Sequence, residues 1–369
     1  MRNFKLNFSK ILTIFGTKAL GLDISDRSAE LVEVRKRGQA LTVTAFGRAS
    51  LDKGIVARGR IQDPYKLAAI IRKLAAEAKP APIILERGVQ VALPESQTYL
   101  HTFSLPRAAL GGQENLTTAI RAEVEKTFPF PLEELVWNSV IQSESPEMYQ
   151  VAAAAATREV VAEWREAMKE AGIAVKFFDL ESLATFRALF PRGVMSLTAM
   201  VDLGAVTTTI SLFNQLGVFY AYSLNEGGEA LTAEIAKTLD LGLAAAEERK
   251  VLNGLSDRDQ NLALLLTKAL RPTLDELGKL ERYLRSQFHQ ELAEVVLVGG
   301  GSLLPGLVDY FARNLKVPVR RGELTSSLTL SPAISTSLTA SNGLYLEAAG
   351  LALTPFSLST PALALPAHF

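Results

Sequence analysis

The sequence predicts an α/β protein of two similar halves, with a mixed α+β subdomain inserted into the first. Three observations carry that prediction. A three-strand pattern opening on Val201-Asp202-Leu203-Gly204-Ala205 repeats one that opens 179 residues earlier on Leu22-Asp23-Ile24-Ser25-Asp26. A glycine-rich strand-to-helix turn, Val295–Leu307 (VVLVGGGSLLPGL), follows the second copy. Between the copies, residues 51–152 alternate helix and strand patterns that continue neither.

Composition bounds the function. The chain has 369 residues, 48% hydrophobic and 21% charged, as a globular protein of about two domains has. Lys+Arg and Asp+Glu both number 39, so no overall field draws it to nucleic acid. Cysteine is absent, which excludes a disulfide scaffold and a thiol nucleophile. His101, His289 and His368 are too scattered for a structural zinc site. No run of 18 apolar residues occurs, so no transmembrane segment is expected. Residues 1–18 place Phe4, Phe8, Ile11, Leu12 and Phe15 at helical spacing among basic residues, the pattern of a surface-lying or loosely docked segment.

The first meander reads as strands Leu20–Ile24, Ala29–Arg35 and Leu41–Arg48, the last two split at Arg37-Gly38. In the 51–152 segment, Asp63-Pro64 starts a helix carrying Leu67, Ile70, Ile71 and Leu74. Strands Val89–Leu93 and Thr98–Leu105 follow, then a helix with Leu116, Ile120 and Val124. A turn at Phe128-Pro129-Phe130-Pro131 leads to strands Leu135–Ile141 and Tyr149–Ala156. Helix Arg158–Ala171, strand Ala174–Asp179 and helix Glu181–Phe190 complete the first half, and Pro191-Arg192-Gly193 makes a hinge.

The second meander continues through Thr207–Phe213 and Val218–Leu224. Gly227-Gly228 then precedes a helix with Leu231, Ile235 and Leu239, and residues 240–290 are helix-rich. Val295–Val298 reads as a buried strand, Gly299-Gly300-Gly301-Ser302 as an open turn, and a helix is expected near Leu304.

Two turns of small residues, each beside an acid, suggest a ligand between the halves. Gly204 and Ala205 let backbone N–H groups approach an anion, and Thr207 and Thr208 add hydroxyl donors. A carboxylate beside a phosphate works through Mg²⁺, which makes Asp23 and Asp202 the expected metal residues.

These segments together resemble the actin-like ATPase superfamily and, within it, the PilM family of type IV pilus assembly, related to the division protein FtsA. The resemblance covers residues 19–355. GLDISDRSAELVEV is similar to the family's first phosphate motif, VDLGAVTTTISLF to its second and VVLVGGGSLLPGL to its adenosine motif. AIRAEVEKTFPFPLEELVW, Ala119–Trp137, is similar to a PilM segment within the insertion, and LEAAGLAL to the closing helix.

The resemblance implies an actin-like (ribonuclease H-like) two-lobed ATPase fold with an inserted FtsA/PilM-type α+β subdomain. The expected division is 19–50 with 153–192 as first lobe and 51–152 as insertion. Residues 193–235 with 291–355 form the second lobe, 236–290 its helical subdomain and 356–369 a tail. ATP and Mg²⁺ would sit in the cleft, held by Asp23, Ser25, Asp26, Asp202, Gly204, Ala205, Thr207, Thr208, Gly227, Gly228 and Gly299–Ser302. Glu247 and Lys250 fit an A-E-x-x-K pattern that approaches ribose and base in relatives. Asp179 and Glu181 lie where relatives keep a polar catalytic residue.

The implied partners are the cytoplasmic N-terminal tail of a PilN-like inner-membrane protein, the pilus assembly ATPase complex and a second copy of the chain. The implied place is cytoplasmic, at the inner membrane through partners. Ser25 stands where the first motif has glycine, Asp26 adds an acid, and Glu30 replaces a common Lys or Arg. ATP binding with weak or absent hydrolysis is therefore expected, beside the alternative of a nucleotide-free scaffold. A hexokinase-like kinase would need a catalytic Asp in a polar cleft, whereas the insertion is apolar. FtsA closes on an amphipathic membrane helix, which SLSTPALALPAHF does not resemble.

Overall fold

The computed structural model describes residues 17–109, 113–256, 258–324, 328–335, 338, 342–356 and 363–368. Of the basic segment 1–18, only Thr17 and Lys18 fall within them, opening the first strand.

The first meander is β1 (Thr17–Ile24), β2 (Ser28–Arg37) and β3 (Ala40–Ser50). A small hairpin, β4 (Val56–Ala57) with β5 (Arg60–Ile61), leads into α1 (Pro64–Ala76). Asp63 caps α1 by accepting from the Lys66 N–H at 3.0 Å, as Asp-Pro predicts. β6 (Val89–Leu93), β7 (Thr98–Pro106), α2 (Gln113–Thr127), β8 (Leu135–Glu144) and β9 (Met148–Thr157) follow. α3 (Arg158–Glu170), β10 (Phe177–Leu180) and α4 (Glu181–Leu189) close the first half.

The second half opens with β11 (Thr198–Leu203), β12 (Thr208–Asn214) and β13 (Gly217–Leu224). Its helices are α5 (Gly228–Thr238), α6 (Leu243–Asn253), α7 (Gln260–Ala269) and α8 (Arg271–Phe288). β14 (Glu294–Val298), α9 (Leu307–Leu315) and β15 (Val319–Arg321) follow. Last come β16 (Leu328–Leu330), α10 (Leu346–Leu353) and β17 (Leu365–Pro366).

The duplication is visible in the sheets. The first lobe contains the order β3-β2-β1-β6-β10 and the second β13-β12-β11-β14-β15. In each, the meander pairs antiparallel and the next two strands add in parallel.

Four expected placements move. The expected insertion includes β6, but Leu20–Leu22 of β1 pair with Val89–Val91, so β6 is a central strand of the first lobe and the separate β7-β9-β8 sheet begins at Thr98. The expected second lobe includes the residues after β15, but β16 pairs with β3 and α10 packs on β1, β2 and α4. The tail likewise returns as β17 beside β10. The helix expected near Leu304 starts at Leu307, after a tight turn over Gly300–Leu303.

Side-chain alternation along β1 and β2 explains the layering. Leu20, Leu22, Ile24 and Leu31 join one core with α1 and α3, including the fully buried Trp164. Val32 and Val34 face the other way, onto Ala348, Ala349 and Ala352 of α10. Gly21 is on that second face, and a Cβ there would collide with the Ala348 carbonyl and the Ala352 nitrogen. Glycine thus lets α10 lie directly on the sheet.

The second lobe has its own core, but one face of its sheet serves the first. Met200, Phe213, Val296 and Val298 belong to the first-lobe core, and Phe186 of α4 stacks on Phe213 with ring centroids 4.0 Å apart. The insertion folds α2 over one sheet face with Phe103, Val124, Phe128 and Val151. Ala152, Ala154 and Ala156 on its other face join the first-lobe core.

Candidate functional site

The two meander turns are closed by the same bond. The Ser25 N–H donates to the Ser28 carbonyl and the Gly204 N–H to the Thr207 carbonyl, both at 2.9 Å. Their tips, Asp26-Arg27 and Ala205-Val206, line a cavity of ≈ 830 Å³ between the lobes. Close approach fixes the glycines on the second-lobe side. A Cβ on Gly299, whose φ is +74°, would meet Asp202 Oδ1, and one on Gly227 would strike the backbone of Ala205 and Val206.

Four carboxylates gather at the floor. Asp23 shares the α10-facing side of β1 with Gly21, so the helix that Gly21 admits brings Glu347 against Asp23. One ligand oxygen from each of Asp23, Glu181 and Glu347 lies within 4.8 Å of the others. Glu347 Oε1 is buried with no hydrogen-bond partner. Burial, then Glu30 and Asp202, push the Asp23 carboxyl well above the usual range. Burial, then Asp23, does the same for Glu181 and Glu347. Asp202 is pushed up to about 6 by burial. A site that confines this much negative charge favours either protons or a cation.

The departures in the first motif have structural partners. Glu30 faces Arg48 across β2 and β3, with Nε to Oε1 at 2.5 Å, so its charge is matched within the sheet. Asp26 Oδ1 accepts the Gly59 N–H at 3.1 Å, and the Ser25 hydroxyl and Ser28 lie 3.2 Å apart inside their turn. None of the three side chains blocks the cavity, which they all line.

Most expected site residues line this cavity, Asp23, Asp202, Gly204, Ala205, Thr207, Gly228, Glu247 and Gly299–Gly301 among them. Four have their polar groups engaged by protein partners, Thr208 and Lys250 among them although both also line the cavity. Asp179 is outside the cavity lining, pairing with Arg187 at 3.0 Å and with Thr354 Oγ1 at 3.1 Å, neither of which lines it. Of the two acids expected to be catalytic, Glu181 lines the cavity and Asp179 does not. Ser302 is buried and donates to the Gly299 carbonyl at 2.7 Å, shaping the turn from behind. The Thr208 hydroxyl is spent on the Glu226 carbonyl at 2.5 Å. Lys250 gives its protons to the Gly228 carbonyl, Thr232 Oγ1 and Glu247, so it fastens α6 to the start of α5.

Sequence reading missed Glu347, although one acid inside the apolar LEAAGLAL is a legible anomaly. It also missed a bridge across the cleft mouth, where Glu229 of the second lobe takes Arg27 and, at 3.2 Å, Lys53 of the first.

A duplicated, two-lobed α/β fold with a cleft between paired phosphate-type turns defines the actin-like ATPase class. EutJ from Carboxydothermus hydrogenoformans superposes with a TM-score of 0.52 at 16% identity, covering 91% of this chain and 89% of that one. MreB5 of Spiroplasma citri, solved with AMPPNP, does so at 0.51 and 13%, covering 90% and 94%. Within that class, the family model of the type IV pilus assembly protein PilM matches residues 21–356, and the chain belongs to this family. A chain of the PilM-PilN type IV pilus biogenesis complex superposes with a TM-score of 0.78 at 26% identity, covering 91% of this chain and 98% of that one. The cell division protein FtsA of Agrobacterium fabrum (strain C58) is 31% identical over 149 residues, 34% of each chain, so the match spans about a third of that relative. Among the described residues no helix is long and apolar enough to cross a membrane.

Proposed function

We propose that this protein is a cytoplasmic, ATP- and Mg²⁺-binding assembly protein of the type IV pilus or of a related secretion or competence machine. It docks the cytoplasmic tail of a PilN-like inner-membrane protein and reaches the membrane through that partner. The observation that carries the nucleotide is the pair of identically closed turns facing one cavity over a buried acid cluster. Membership of the PilM family and the likeness to the PilM-PilN complex support the partner.

The acid cluster fits a divalent cation because the unpartnered Glu347 Oε1 and the crowding of three carboxylate oxygens within 4.8 Å are both relieved by one. Asp23, Glu181 and Glu347 would hold it, and Asp202 lines the same cavity from the second lobe. A bound Mg²⁺ supplies charge neutralisation to phosphate oxygens. The chain's own residues do the rest. The turn tips receive the phosphates, Gly299–Gly301 let the nucleotide approach the backbone, and Glu247 with Thr232 faces the sugar. Glu181 is the remaining candidate to orient water. Because Glu181 would also hold the cation, it is not free to act as a base, and slow or absent turnover is expected.

Calorimetric titration with ATP, with and without Mg²⁺, tests this reading. It is repeated with the N-terminal peptide of the PilN homologue from the same organism. Saturable, Mg²⁺-dependent ATP binding that alters peptide affinity is expected. Peptide binding without ATP binding would make the protein a nucleotide-free scaffold.

A further inference from the structure

The segment Leu363–His368 lies as a separate peptide would. β17 runs antiparallel to β10, with Phe178 opposite Leu365 and Phe177 opposite Pro366, and covers the sheet edge that β10 would otherwise present. On its other side is the insertion, where Asn138 Nδ2 of β8 donates to the Ala364 carbonyl at 2.9 Å. The Ala367 N–H donates to the Lys176 carbonyl at 2.9 Å, and Arg165 Nη1 of α3 donates to the Ala367 carbonyl at 3.2 Å. Leu363, Leu365 and Ala367 are buried, Ala364 and Pro366 half-buried, and His368 exposed. The groove between first lobe and insertion therefore holds extended chain through main-chain bonds and an apolar pocket at every second residue. Strand addition to a sheet edge binds peptides by the same means.

The main-chain bonds of that occupancy are not specific to this sequence. Leu363–Ala367 carries no polar side chain, so each of these hydrogen bonds uses backbone that another peptide also has. The strand itself is two residues long, pairing with only the first half of β10. We propose that Leu363–His368 is an exchangeable intramolecular ligand of this groove, and that an extended apolar tail of a partner protein displaces it by adding along β10. The groove rests on geometry alone; the partner's identity rests on the tail-docking reading above.

The test uses two labelled peptides, residues 361–369 of this chain and the N-terminal peptide of the PilN homologue from the same organism. Because the chain has no cysteine, Phe177→Cys with Pro366→Cys in the full chain places one thiol pair across the ladder. Oxidation is expected to lower PilN-peptide affinity about tenfold or more, and reduction to restore it, since a locked occupant leaves little competent groove. A chain ending at Ala362 should bind both peptides, each displacing the other. Equal PilN-peptide affinity in the oxidised and reduced forms, or simultaneous binding of both peptides, would overturn the exchange while leaving tail docking intact. If the chain's own peptide binds the shortened protein and the PilN peptide binds neither form, the partner reading falls and the exchangeable occupant stands. Should the shortened chain not fold, the staple decides alone.

Discussion

Asp23 and Asp202 hold the same place in two copies of one sheet, yet the rows behind them differ. Asp23 faces Glu30 on β2, which faces Arg48 on β3. Asp202 faces Thr209 on β12, which faces Ser223 on β13, their hydroxyls 2.9 Å apart. The first carboxyl is therefore raised by burial and by like charge, the second by burial alone. In the proposed site the first would touch the cation directly and the second would support it.

Asp202 should make ion-free stability depend on pH. Its carboxyl is raised from 3.8 to about 6, so the folded chain binds that proton more tightly than the unfolded chain does. The resulting stability is complete below about pH 4 and is lost as pH rises through 6. Asp202→Asn should remove the share of this slope that Asp202 contributes, beside that of the raised Asp23, Glu181 and Glu347, and stabilise the ion-free protein at pH 7.5 by about 3 kcal/mol. It should also weaken Mg·ATP binding about tenfold, as loss of a supporting carboxylate does. Thermal melts across pH with and without Mg²⁺ measure both effects, and an unchanged slope would remove Asp202 from the site.

Gly21→Ala should act on the site from a distance. The new Cβ meets α10 backbone, so the helix must shift, at a cost of about 1–3 kcal/mol. Because α10 carries Glu347, the stabilisation of the protein by Mg²⁺ should shrink as well. A destabilised variant with an unaltered Mg²⁺ response would show that Glu347 does not take part.

Asp179 and Arg187 form a pair with side chains 8% and 7% exposed. Arg187 Nη1 also donates to the Gly350 carbonyl at 2.9 Å, which ties α4 to α10. Asp179→Ala strands the guanidinium and should cost about 3–5 kcal/mol. Nucleotide affinity in the protein that remains folded should hold, and a selective loss of ATP binding would return Asp179 to the site.

Phe128 anchors α2 to the insertion sheet and lies 6.2 Å, ring to ring, from Tyr99. Phe128→Ala should cost about 3–4 kcal/mol and loosen peptide docking more than ATP binding. Calorimetry with each ligand separates the two, and equal losses would deny the insertion a distinct role.

The elements themselves were legible because their signals are local. Asp63-Pro64 starts a helix, Gly204-Ala205 turns a strand, and a repeated Asp at one register betrays a repeated meander. Much of the candidate site came with them, since Gly299 must accommodate Asp202 wherever the two strands pair. What local signals do not carry is partnership between distant segments. Val89–Leu93 has the same pattern in an insertion or a lobe, and only its parallel pairing with β1 assigns it. Asp179 and Glu181 are two residues apart and equally acidic. The strand's alternation sends the first to Arg187, outside the cavity lining, while the second, at the start of α4, lines the cavity. Glu347 reaches Asp23 only because Gly21, more than 300 residues earlier, leaves room for its helix. Sequence set the strands, turns and acids; side-chain environment across the lobes decided which acids face the ligand.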